Sequence, residues 1–281
     1  MTKQGIVIET NAEYHGDLEA ISKSRLANMA VCPLYFKWSE ENPKEPNEDL
    51  IIGSAFHKWV LENDTFDTEF AVMPKVDKRT AQGKALYSSF VEQSCGKQVI
   101  TEEQFETIKG MCESIMANKY TKRLLKGEHE VSMYFVDELT GELCKVRPDC
   151  HRKISDRLLI VDLKSCKNAD TTEFMKDVAK YHYDLQAYMY SYGASKVLNI
   201  PMENIDFVFI AVEKKEPYLA NILQADQYVL QRGEMLFRKY IGQYHECKES
   251  GEWYGYNGKF GLINNLTLPN YLMKEMNKGE E

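Results

Sequence analysis

No stretch of this 281-residue sequence is apolar for long enough to span a bilayer, and its opening, MTKQGIVIETNAEYHG, lacks the apolar core of a secretion signal. No membrane association is expected, and the cytoplasm is the expected compartment. A Pro/Gly/Ser-rich linker and internal repeats are also missing. One domain over 1–281 is therefore expected, with a core at about 20–255 and a tail at 256–281. The seven cysteines, Cys32, Cys95, Cys112, Cys144, Cys150, Cys166 and Cys247, are scattered, and no C-x-x-C occurs. That spacing excludes a clustered zinc or iron–sulfur site and points to reduced thiols. A basic excess is lacking too, since the net charge is −8. Such a balance disfavours non-specific coating of nucleic acid. It still allows a local basic channel, because metal ions offset carboxylates where they bind.

What is present centres on Lys145–Lys164, KVRPDCHRKISDRLLIVDLK. The segment reads as a β-hairpin. Its first strand carries Asp149 after Arg147 and Pro148, and Ser155, Asp156 and Arg157 supply a polar turn. The second strand is the apolar run Leu158–Val161 closing on Asp162, Leu163 and Lys164. Side chains alternate along a strand, so Asp162 and Lys164 share a face and Leu163 opposes them. Two carboxylates and a lysine can thus converge at the end of paired strands. That set suits phosphodiester hydrolysis, because hard cations bind through a few carboxylates while keeping waters and phosphate oxygens, and an ammonium orients the attacking water. Pro-Asp, twelve residues, then Asp-x-Lys resembles the PD-(D/E)xK nuclease signature. An ordinary hairpin with solvated end charges is the alternative at this point.

Along the chain, Gly5–Thr10 reads as an edge strand followed by a loop. Ser22 or Ser24 caps a helix running through Leu26 and Met29 towards Cys32, and a further helical segment covers 34–38. Ser24 and Arg25 are either cap and surface charge or a phosphate-binding corner. After a charged loop at 40–49, a helix is expected from about Gly53, with Phe56 and Val60 in the core and His57 beside that face, as a structural residue or pointing into a cleft. A strand and a basic loop with Lys75, Lys78 and Arg79 follow, then helices at 82–96 and 101–120. Glu130–Val136 begins a three-stranded meander that continues through Glu142–Ile154 to Leu158–Lys164. Glu130 is either a metal or supporting carboxylate, or an exposed strand end. Helices at Thr171–Tyr181 and Tyr183–Val197 come next. The second places Gln186 and Tyr190 one turn apart, as packing residues or as a face towards a DNA groove. Strands Asn204–Glu213 and Tyr218–Gln224 precede a helix over 225–249 with Tyr228, Val229, Met235, Leu236, Tyr240 and Ile241 as its stripe. The tail reads as irregular. The expected fold class is α/β, a mixed sheet with helices on both faces.

Five pieces in order, ISKSRL, IIGSAFHKWVLE, KVRPDC…IVDLKS, YHYDLQAYMY and FIAVEKKEPY, resemble the RecE-type (exonuclease VIII) branch of the PD-(D/E)xK nucleases. They are also similar to lambda-type and RecB-type nuclease domains, and the resemblance covers residues 20–255. It implies a restriction-endonuclease-like core. His57, Asp149 and Asp162 would hold Mg²⁺, with Mn²⁺ able to substitute. The Leu163 carbonyl would complete the shell, and Lys164 would be the catalytic lysine. Gln186 and Tyr190 would contact DNA, and Ser24 and Arg25 lie where relatives hold a 5′-phosphate. The late cysteine group of iron–sulfur relatives is missing, so no such cluster is implied.

The activity implied is a 5′→3′ exodeoxyribonuclease on linear double-stranded DNA ends, leaving 3′ overhangs for recombination. A ring-shaped homo-oligomer (trimer or tetramer) and a RecT-like single-strand annealing partner are implied with it. The alternatives are a nuclease of other polarity, single-strand or endonucleolytic specificity, and a non-catalytic DNA-end-binding subunit of the same fold.

Overall fold

A computed structural model describes residues 3–77, 79–94 and 96–278. Lys78 of the expected basic loop and the last three residues of the tail lie outside these. In chain order the described elements begin with β1 (Gly5–Val7), α1 (Asn11–Gly16), α2 (Lys23–Ala27), α3 (Pro33–Glu41), α4 (Glu48–Leu61), α5 (Phe66–Glu69) and β2 (Phe70–Met73). Next come α6 (Ala81–Gln93), β3 (Gln98–Thr101), α7 (Glu102–Ala117), α8 (Lys119–Leu124), β4 (Glu128–His129), β5 (Ser132–Val136) and β6 (Leu143–Val146). The chain then forms β7 (Cys150–Ile154), β8 (Arg157–Cys166), α9 (Thr171–Tyr181), α10 (Tyr183–Leu198), β9 (Ile205–Glu213), β10 (Ala220–Gln224), α11 (Gln227–Ser250) and α12 (Asn270–Lys278).

The central sheet has five strands in the order β10-β9-β8-β7-β4. Its middle pair, β8 and β9, is parallel, with Leu158 opposite Ile205 and Cys166 opposite Glu213. A parallel pair needs a crossover, and α9 and α10 provide it. Alternation along β8 sends Leu158 and Ile160 into an apolar layer with α10 and α11. It sends Val161 and Leu163 into a second layer with α4 and α7. All four are fully buried. The strand therefore reads as a continuous apolar run because both its faces are covered. Asp162 and Lys164 follow Ile160 on the α10 side, which sets their partners below.

The expected meander is corrected. β6 pairs with β5 in a separate three-stranded sheet, β1-β5-β6, whereas β7 joins the central sheet. Pro148 has no N–H to continue a ladder, and the strand breaks over Arg147, Pro148 and Asp149. The facing strand breaks at the same level, where Glu130 takes a left-handed φ of 51° between β4 and β5. The Glu130 N–H donates to the Asp149 carbonyl at 3.3 Å. One two-stranded ribbon thus passes from sheet to sheet, and its bend carries Glu130 on one strand and Asp149 on the other.

Other expectations shift for local reasons. α4 begins five residues earlier than expected, because the Asn47 side chain accepts from the Leu50 N–H at 3.0 Å and caps it. β1 stops at Val7, since Thr10 and Glu13 form a capping box that starts α1 where a loop was expected. The expected 101–120 helix divides at Asn118, which caps α8. β3 was not foreseen; it pairs in parallel with β2. On α11 the buried stripe is Leu236, Phe237, Tyr240, Ile241 and Tyr244, while Tyr228 and Met235 are exposed. The tail is less irregular than expected, ending in α12.

Candidate active site

The ribbon bend, α4 and the end of β8 meet at the floor of a cleft of about 940 Å³. Here His57, Glu130 and Asp149 offer ligand atoms that all lie within 4.8 Å of one another. His57 Nδ1 is 3.3 Å from Asp149 Oδ1. The other Asp149 oxygen, Oδ2, accepts from the Leu163 N–H at 2.5 Å, so strand β8 fixes this carboxylate from behind. Glu130 is held by Arg147, whose Nε lies 2.8 Å from the Glu130 carbonyl and 3.2 Å from its carboxylate.

The electrostatics follow from this crowding. Burial, reinforced by the neighbouring Asp149 charge, pushes the Glu130 carboxyl up from its ordinary value. Burial would raise Asp149 as well, but the His57 imidazole and the Lys164 ammonium hold it below the usual carboxylate range. Burial disfavours a charged His57, yet the Asp149 carboxylate outweighs it and raises the imidazole. Two carboxylates and an imidazole sharing one half-buried corner make a donor set suited to a hard divalent cation, which would relieve the repulsion between Glu130 and Asp149.

Asp162 stands behind this corner. It is fully buried, one oxygen accepts from Gln186 Nε2 at 2.5 Å, and the other pairs with Lys164. Burial pushes its carboxyl up against the pull of Lys164. The ammonium of Lys164 lies 5.0 Å from the Tyr183 ring centroid, and Lys164 and Leu163 both line the cleft.

The structure brings together His57, Glu130, Asp149, Asp162, Leu163, Lys164 and Tyr190, whose ring borders the cleft. Burial and the nearby carboxylates push the Tyr190 phenol well up, so it stays protonated. Gln186, expected at the DNA, has Asp162 as its partner in the structure. α10 lies against β8 at this level, and the amide is buried against Asp162. Neither Ser24 nor Arg25, expected near a 5′-phosphate, lines the cleft. Arg25 Nε and Nη2 grip the Glu40 carboxylate, and Nη1 donates to the Leu18 and Ala20 carbonyls at 3.1 and 2.8 Å. The Ser24 hydroxyl lies 3.2 Å from that of Ser22. In the basic loop, Lys75 pairs with Glu103 and Arg79 with Asp77, away from the cleft.

Two residues at the cleft were not singled out. Lys23 projects into it and donates to the Tyr181 carbonyl at 2.8 Å. Burial, then the nearby Lys164, brings its ammonium down to about 7. Arg147 was noted only as a neighbour of the Pro-Asp pair. The strand break beside it was the available signal.

Fold and floor together define a restriction-endonuclease-like α/β domain with a carboxylate–histidine cluster. Residues 22–265 match the family described as PDDEXK-like domain of unknown function (DUF3799), and the chain belongs to that family. A crystal structure from Eubacterium rectale, of a protein provisionally named an exonuclease, matches with a TM-score of 0.64. It does so over 96% of this chain and 98% of its own at 16% identity, so the fold is shared. The crystal structure of SSO0001 covers 68% of this chain and 86% of its own at 13% identity, and its TM-score of 0.28 carries no argument. No curated protein matches the sequence.

Proposed function

We propose that the protein is a metal-dependent deoxyribonuclease. The observation that carries this reading is the half-buried His57, Glu130 and Asp149 corner set beside the Asp162–Lys164 pair at the floor of an open cleft. A divalent cation, Mg²⁺ with Mn²⁺ as substitute, would supply an acidified water and neutralise charge on the scissile phosphate. His57, Glu130 and Asp149 would hold it, and Asp162 and the Leu163 carbonyl adjoin that corner along β8. Lys164 would hold the attacking water and stabilise charge developing on a phosphate oxygen. Gln186 keeps Asp162 turned towards Lys164, and Arg147 keeps Glu130 turned towards Asp149.

The RecE-type pattern of motifs supports a finer reading, a 5′→3′ exonuclease on linear double-stranded DNA that leaves 3′ overhangs for a single-strand annealing partner. A ring-shaped homo-oligomer would cover the apolar residues Phe260, Ile263 and Leu266, which are 82%, 93% and 99% exposed. The test is digestion of a linear duplex with Mg²⁺, labelled separately at its 5′ and 3′ ends, beside a closed circle. Early release of the 5′ label with the circle intact is expected. Early release of the 3′ label reverses the polarity, and cutting of the circle makes the protein an endonuclease. Tight end binding without any loss of label removes the catalytic reading altogether.

A further inference from the structure

One wall of the cleft pairs aromatic rings with lysines in a way that hydrolysis does not require. α9 ends at Tyr181 and α10 starts at Tyr183, and His182 between them takes the left-handed conformation, φ 53° and ψ 47°. That reversal sets both tyrosines at the cleft. Tyr183 is backed by the core, with Phe174 at 5.8 Å and Phe209 at 5.9 Å between ring centroids. Tyr181 continues outwards at 5.6 Å from Tyr183 and inclined by 34°. It is 46% exposed. A ladder of rings therefore runs from the core to the rim and ends on the half-exposed Tyr181, with the Lys180 ammonium over its ring.

Cations surround this ladder. Lys23 lies 5.5 Å from the Tyr183 ring, Lys164 5.0 Å from the same ring, and Lys180 4.9 Å from the Tyr181 ring. Lys167 and Asp177 line the same cleft. The Lys23 bond to the Tyr181 carbonyl ties α2 to the end of α9. An exposed aromatic ring flanked by ammonium groups is how proteins hold single-stranded nucleic acid, since every base has a face to stack and every phosphate a charge to neutralise.

Building on the nuclease reading of the cleft, we propose that this rim is a base-stacking subsite for a single-stranded polynucleotide segment. Tyr181 takes the face of an unpaired base, and Lys180 and Lys167 take the flanking phosphates, so the strand enters the cleft towards Lys164. An internal pair of a duplex cannot offer a base face to Tyr181, because it is already stacked on both sides.

The test uses the full-length protein in EDTA, so that no strand is cut, with a labelled thymidine oligonucleotide and an abasic oligonucleotide of equal length. Wild-type protein should bind the thymidine strand about tenfold more tightly than the abasic one, within the range for one base on one aromatic ring. Tyr181→Ala should remove that preference and leave abasic binding unchanged, while Tyr181→Phe should retain it. Equal binding of the two strands by wild-type protein overturns the proposal, as does binding of neither, or a Tyr181→Ala loss that is the same for both. The Mg²⁺ digestion above reports separately on the nuclease reading. Intact digestion without base preference sinks the stacking subsite alone, whereas base preference without digestion sinks the nuclease.

Discussion

At the residue scale, the site separates holding from chemistry. Asp149, Glu130 and His57 are fixed by Leu163, Arg147 and the α4 backbone, whereas Lys164 reaches the cleft with its ammonium shared between Asp162 and the Tyr183 ring. Lys164→Gln retains a donor for Asp162 but removes the positive charge. It should cut duplex digestion by about 10²–10³-fold, the scale of losing one charge-stabilising donor in the transition state. The thermal shift produced by Mg²⁺ should persist. Loss of that shift together with activity would show that the lysine maintains the cluster instead. Away from the cleft, Asp137 is fully buried and gripped by Arg238, with further bonds from the Thr140 N–H at 3.0 Å and Oγ1 at 2.8 Å. Burial would raise its carboxyl, but these partners lower it. A lowered carboxyl stabilises the fold above its unfolded value, and the stabilisation fades as pH falls through the folded value. Asp137→Asn should therefore cost on the order of 3 kcal/mol near neutrality. In urea titrations its gap from wild type should narrow below pH ~4. A gap that stays constant with pH would rule out the charge as its origin.

At the scale of elements, the packing of α10 against α11 decides whether Gln186 reaches Asp162. A Cβ on Gly233 of α11 would fall 2.1 Å from the Asp184 carbonyl of α10, so the helices must part if any side chain is placed there. Gly233→Ala should cost about 1–3 kcal/mol in chemical denaturation, as overpacking does. It should also lower activity at temperatures where the protein remains folded. Gly242 on the same helix meets nothing within 4 Å. There alanine should stabilise by about 0.5–1 kcal/mol, by sparing the entropy that glycine loses. If both substitutions move stability in the same direction, close helix approach is not the reason for Gly233. The elements were legible in the sequence wherever one local signal dominated. The apolar run of β8 and the helical spans of α9 and α10 are of this kind. Asp162 and Lys164 share a face because strand alternation leaves no choice. The metal corner was only half legible. Pro148 marked the break before Asp149, but Glu130 faces it through a left-handed residue in a strand break 19 positions earlier in the chain, and no spacing rule connects the two. Ser24 and Arg25 stand apart from the cleft, although a helix start with serine and arginine suits an anion. Sequence gives no sign that Glu40, two turns into the next helix, occupies that guanidinium, nor that Lys23 turns to the cleft instead.

At the scale of the whole molecule, the cluster joins segments far apart in the chain. His57 comes from α4, and Glu130 and Asp149 from the ribbon that passes between two sheets. A cation bound there would tie the helical layer to both sheets, and it would bind only the folded chain. Mg²⁺ at a hundred times its Kd should add about 2.7 kcal/mol of stability, visible as a higher Tm than in EDTA, and His57→Ala should remove most of that gain. A Tm unmoved by Mg²⁺ and Mn²⁺ alike would exclude the cluster as their site.

The net charge of −8 sets the second constraint at this scale. In the cleft a polyanion meets Lys23, Lys164, Lys167, Lys180 and Lys214 among the lining residues. Of these, Lys214 is already paired with Asp49 and Lys164 with Asp162, which leaves Lys23, Lys167 and Lys180 to displace counterions from a strand at pH 6, below the Lys23 value of about 7. Counterion release by three phosphate contacts gives a slope of about −2 in log K against log salt for a single strand. Binding of a single-stranded oligonucleotide in EDTA, followed across KCl concentrations, should show that shallow slope. Lys167→Gln should reduce it by about 0.7, one phosphate's share. A slope several times steeper would mean that DNA lies across a broader surface, supplied by neighbouring copies in an oligomer. A slope near zero would mean that these lysines take no phosphate.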